Sequence, residues 1–134
     1  MSADQERADH HAYCADLGQK LIGDRDRECI VAFAADEYHR VLAVNVVYVG
    51  SPGSLPRDIF RWALQFNACS IVIVRNHLSG DPRPSEDDRG DADKMRQCGE
   101  LLGIEVIDSI IVTKGDAYYS ASQASILQLG RGRN

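Results

Sequence analysis

The chain has 134 residues, a length that holds one domain with a single hydrophobic core. Its 44% hydrophobic and 26% charged content is ordinary for a soluble globular protein, and no apolar run approaches a membrane span. With 15 basic against 20 acidic side chains the net charge is -5, which argues against broad capture of nucleic acid, because phosphate binding needs a basic surface.

The opening Met1-Ser2-Ala3-Asp4-Gln5-Glu6-Arg7 is polar, carries no signal-peptide pattern and suits a cytoplasmic start. Residues 4 to 22 read as a helix, with Tyr13, Cys14, Leu17 and Leu21 at helical spacing and Gly23 as its stop. Residues 28 to 35 and 41 to 49 are nearly continuous apolar runs, expected as strands buried on both faces. The polar turn Asp36 to Arg40 makes them a hairpin. Ser51-Pro52-Gly53-Ser54 is a loop, and Pro56 sits in the first turn of a helix running to about Asn67. Ser70 to Val74 is a short central strand, and residues 76 to 84 form a Gly/Pro loop. A helix follows from Glu86 to about Leu102, then a strand from Ile104 to Thr113 and a last short strand at Ala117 to Ser120. Cys14, Cys29, Cys69 and Cys98 form no Cys-x-x-Cys and are expected as reduced, mostly buried thiols. Arg131-Gly132-Arg133 reads as a solvated terminus. The order of elements predicts one α+β domain over 1–134. Its mixed sheet is flanked by helices, with an N-terminal helix within 1–24 and a core over 28–120.

The most informative stretch runs from Arg75 through Asn76-His77-Leu78-Ser79-Gly80-Asp81-Pro82-Arg83-Pro84-Ser85 to Asp88. A zinc-hydrolase loop of this layout has His-x-His, seven residues, then Ser-x-x-Asp. His77, Ser85 and Asp88 stand at that spacing, and Arg75 occupies the place of the first His. The segment resembles the RadC family, a branch of the JAMM (MPN-type, JAB) metallohydrolases, with its His-Asn-His-Pro-Ser-Gly-Asp-Pro-x-Pro-Ser-x-x-Asp. Leu102-Gly103-Ile104-Glu105-Val106-Ile107-Asp108 is similar to the family's Leu-Gly-Ile-x-Leu-Leu-Asp, after which the family has His and this chain Ser109. Arg27 to Phe33 resembles the strand that carries the family's catalytic Glu, and Pro56 to Leu64 its Pro-Arg-Glu helix.

The resemblance implies a JAMM/MPN, cytidine-deaminase-like architecture. It implies zinc held by His77 and Asp88, Glu28 as the base that activates the metal-bound water, and Ser85 as donor to the tetrahedral oxyanion. Each residue also has a plainer reading. Ser85 and Asp88 form a capping box at the start of a helix, His77 is a hydrogen-bonded loop side chain, and Glu28 is an exposed acid in the charged run Asp24 to Glu28. Helical phase puts Asp88, Ala92, Met95, Gly99 and Leu102 on one stripe, so Asp88 should face inward and need a partner.

Arg75 decides between these readings. An arginine cannot shed its proton, so it offers a metal no lone pair. Loss of a residue that merely orients a ligand costs roughly 10–100-fold in metal affinity, and loss of a ligand costs more. A unit-charge pair at close contact is worth about 4 kcal/mol at an effective dielectric of 20, and a divalent ion beside the guanidinium doubles the repulsion. Zinc is therefore expected to be weak or absent, and Arg75 to pair with Asp88 in its stead. The expected protein is a catalytically weak or inactive binding or scaffolding module for a protein or peptide, with no membrane role. One alternative is a zinc-dependent hydrolase of isopeptidase or peptidase type. Another is a DNA-repair accessory protein, disfavoured by charge and by the short stretch ahead of Glu28, which is too small for a second, DNA-binding domain.

Overall fold

The computed structural model describes residues 3–48 and 55–130. Val49, the Ser51 to Ser54 loop and the Arg131 to Arg133 tail lie outside them. The described elements are α1 (Ala3–Ile22), β1 (Cys29–Ala35), β2 (Val41–Tyr48), α2 (Leu55–Leu64), β3 (Ser70–Asn76), α3 (Glu86–Leu102), β4 (Glu105–Val112), β5 (Ala117–Ser120) and β6 (Ser125–Gln128). The strands form one mixed sheet in the order β2-β1-β3-β4-β5-β6. Only the β3–β4 pair is parallel, joined by the crossover helix α3 as a parallel connection requires. The α+β class and mixed sheet are as expected.

Period-two alternation divides the core. Val31, Phe33, Val72, Val74 and Val112 pack under α1 with Cys14, Ala15 and Ile22. Ile30, Ala32, Ile71 and Ile73 pack on the other face with Ile59 and Phe60 of α2 and Met95 of α3. Gly18 lets α1 lie close on β3, since a Cβ there would come within 2.7 Å of Val74 Cγ1. The fully buried Asn76 fastens the end of the sheet. Its Oδ1 accepts from the Cys29 amide at 2.7 Å, and its Nδ2 donates to the Ile22 and Arg27 carbonyls at 3.0 Å.

Several expectations need correction. β1 is buried throughout, but β2 is the sheet's edge and is half-exposed, so an apolar run there does not mean burial on both faces. β3 extends two residues beyond Val74 and takes in Arg75 and Asn76. α2 stops at Leu64, ahead of a turn in which Asn67 is left-handed at φ 52°. β6 was not anticipated. Leu102 is 48% exposed, because the left-handed Gly103 turns the chain and leaves the last member of the inward stripe past the sheet. Cys14 and Cys29 are buried, whereas Cys69 is exposed and Cys98 half-buried.

Candidate functional site

Arg75 lies on β3 opposite Ile30 of β1, on the face that carries α3. His77 follows two residues on, and alternation sends both side chains to the same side of the sheet. This is the local reason for the His-x-His spacing at which Arg75 replaces the first imidazole. The His77 amide donates to the Val112 carbonyl at 2.9 Å, which ties the loop to the end of β4.

Asp88 reaches the same point from α3. Ser85 is the N-cap, with extended backbone at φ -81° and ψ 172°, and the capping box is complete. The Asp88 amide donates to Ser85 Oγ at 3.1 Å, and the Ser85 amide donates to Asp88 Oδ2 at 2.8 Å. The third residue of the helix is thereby aimed at the sheet, and its side chain is 11% exposed.

Three residues singled out by spacing therefore converge. Arg75 Nη1 donates to Asp88 Oδ1 at 2.5 Å, and His77 Nε2 lies 2.9 Å from Asp88 Oδ2. Arg75 Nη2 also donates to Asp91 Oδ2 at 3.2 Å, a partner that the sequence analysis does not single out. Its three-residue spacing from Asp88 was the available signal. Burial pushes the Asp88 carboxyl up, but the Ser85 amide and the Arg75 guanidinium outweigh it and hold the group below its ordinary range.

His77 Nδ1 faces the Asp81 carbonyl oxygen at 2.9 Å. Both ring nitrogens thus lie within hydrogen-bond distance of an oxygen, which fixes the orientation of the ring. The loop is stiffened by Arg83, whose guanidinium bonds Asp81 and holds that carboxyl down at about 2.

Glu28 precedes β1, two residues before Ile30, so alternation favours the Arg75 side of the sheet. It is exposed and makes no hydrogen bond or ion pair among the described residues. Ser109 is paired with Ile73 and lines a cavity of about 70 Å³ beside the Arg75–Asp88 pair. The cavity walls are mostly apolar, including Ile30, Ile73, Ile111 and Met95, and the charged Arg75, Asp88, Arg89 and Asp91 also line it.

A three-ligand zinc centre does not fit these donors. Both Asp88 oxygens are engaged, one by a guanidinium, and only His77 joins Asp88 as a candidate ligand. Among the described residues no three His, Cys, Asp or Glu side chains come together in a metal-holding group.

A second polar cluster, which sequence reasoning missed, lies on the α1 face. The buried Asp108 accepts from His11 Nδ1 at 2.9 Å, Ser120 Oγ at 2.5 Å, and the Ser109 and Ser122 amides. It ties α1 to β4 and β5. Burial and the Asp108 charge push the Cys14 thiol up to about 12, and burial followed by the same charge raises the Tyr118 phenol.

Comparison with known proteins identifies the family. The family profile described as RadC-like JAB domain matches residues 8–126. A UPF0758 protein of Thermotoga maritima is 40% identical over 92 residues, which cover 66% of this chain and 41% of the relative. A UPF0758 protein of Streptococcus agalactiae is 31% identical over 131 residues, covering 93% and 58%. One of Clostridium perfringens is 36% identical over 100 residues, covering 69% and 44%. The chain thus spans about half the length of these relatives, and it belongs to the RadC-like JAB family.

Proposed function

We propose that this member of the RadC-like JAB family is a binding or scaffolding domain in which a salt bridge stands where relatives of the wider superfamily would hold zinc. The observation that carries the reading is the engagement of Asp88: Arg75 on one oxygen, His77 and the capping amide on the other. A permanent cation with directed donors balances the inward acid, so the loop holds its shape without a metal. In this reading Glu28, which is exposed, serves as a surface acid, and the Ser85 oxygen serves the helix cap. The ligand surface we assign is the apolar cavity beside the pair, sized for a small apolar side chain of a protein or peptide partner.

The test is metal content and hydrolysis. Protein purified without chelator should carry far less than one zinc per chain and should not cleave peptide or isopeptide substrates in added zinc. Stoichiometric zinc, or zinc-dependent cleavage lost in Glu28→Gln, would overturn the proposal.

A second reading, a zinc-dependent hydrolase, is favoured by one feature. His77 Nδ1 is held on a backbone carbonyl, the support that a ligating imidazole ordinarily has. For this reading Arg75 must swing out to water and release Asp88. No described helix is long and apolar enough to cross a membrane. We assign no nucleic-acid role to the domain. With a net charge of -5, duplex DNA should bind negligibly at physiological salt, and tight binding that weakens steeply with salt would refute this.

A further inference from the structure

β2 ends the sheet, and among the described residues no strand lies along its outer edge. The strand is eight residues long and reads Val-Leu-Ala-Val-Asn-Val-Val-Tyr, without a charge, a proline or a glycine. Proteins that leave an edge open usually blunt it by shortness, a lysine, a proline or a bulge. The opposite edge is blunted by shortness, since β6 has only four residues. The irregularity in β2 is confined to its start, where register shifts between Ala34 and Ala35 of β1. From Ala43 to Tyr48 the pairing with β1 is unbroken.

Side chains add to the case. Val44 and Val46 lie opposite Phe33 and Val31, on the face that carries α1. Val46 packs against that core, but Leu42 and Val44 are 44% and 42% exposed. The open edge thus has unused backbone hydrogen-bonding groups and, at Val44, an exposed apolar side chain on the α1 face.

We infer that β2 is a homodimer interface, in which a second copy of this chain pairs its own β2 antiparallel to this one and the two sheets become continuous. A two-fold axis normal to the sheet keeps both α1 helices on the same face, so residues of like facing meet. Self-pairing brings identical side chains together, which a charged edge resists and this uncharged one does not. With Val44 on the axis, Val44 meets Val44 of the second copy, so this exposed apolar side chain is covered by a β-branched partner. This inference is independent of the metal question.

Sedimentation velocity on the full chain, over about two decades of micromolar concentration, should show a reversible dimer. Val44→Lys sets two like charges opposite each other and should weaken dimerisation by at least about tenfold. Since Val44 is already 42% exposed, the lysine can be carried by the folded monomer, which circular dichroism would check. A second readout does not depend on that variant. In a Cys69→Ser background, Val44→Cys should oxidise to a covalent dimer, because directly opposed residues sit about 4.5–5.5 Å apart at Cα, within disulfide reach. Asn45→Cys, on the other face and opposite residue 43 of the second copy, should not. A wild type that stays monomeric, a dimer unaffected by Val44→Lys, or equal cross-linking at both positions would each overturn the inference.

Discussion

Replacing Arg75 by histidine restores the His-x-His spacing and tests the salt bridge from both sides. The Arg75 and Asp88 side chains are 16% and 11% exposed and meet at 2.5 Å. A charge-assisted hydrogen bond so shielded contributes about 1.5–3 kcal/mol. The second contact, to a 46% exposed Asp91 at 3.2 Å, belongs with surface pairs worth about 0–1 kcal/mol. The shorter imidazole cannot bridge both acids, so Arg75→His should lose about 2 kcal/mol in chelator. For a domain of this size that lowers Tm by about 6–10 °C. With zinc the sign reverses. The new imidazole, His77 and Asp88 supply three donors, and affinity should rise by at least about tenfold over the wild type. Zinc at 100 times Kd returns about 2.7 kcal/mol, enough to recover the loss. Scanning calorimetry of both proteins, in chelator and in zinc, should therefore show a wild type indifferent to metal and a variant that moves from less stable to equally or more stable. The reasoning fails if the variant is no less stable in chelator, or if the wild type binds zinc as tightly as the variant.

Three further outcomes follow from the geometry. Asn76→Leu strands the Cys29 amide and the Ile22 and Arg27 carbonyls; at about 1–3 kcal/mol for each unsatisfied group, urea unfolding should show a loss of about 3 kcal/mol or more, and a loss under 1 kcal/mol would contradict the keystone role. Gly99→Ala would put a Cβ 2.3 Å from the Ile104 carbonyl oxygen, forcing α3 away from the start of β4; a cost of about 1–3 kcal/mol is expected in the same assay, and an unchanged midpoint would refute it. The raised Cys14 pKa keeps that residue a buried thiol at pH 8, so a thiol reagent should label the exposed Cys69 in the native protein and reach Cys14 only after unfolding; equal labelling rates would refute this.

What was legible in the sequence follows the range of the interactions. The inward turn of Asp88 could be read from helical phase, because residues 88, 92, 95 and 99 share a stripe whatever the helix packs on. The same phase failed at Leu102, where burial depends on how far the sheet extends beneath the last turn. β1 and β2 look alike as apolar runs, yet one is central and the other an edge, because strand order is set by pairings that no local pattern records. Shortness hid β6, whose four residues alternate between half-buried and exposed. The contact between His11 and Asp108 spans 97 positions, and nothing near either residue signals the other. Arg75 differs from these because its meaning came from a position already defined by spacing. A cation fixed at a ligand position, facing an acid that helical phase had turned inward, leaves few arrangements of low energy, and the guanidinium–carboxylate pair is one of them. The same logic explains why Asp91 escaped notice. Asp88 alone balances the charge of Arg75, whereas the planar guanidinium carries several donors and engages a second acid one turn along the helix.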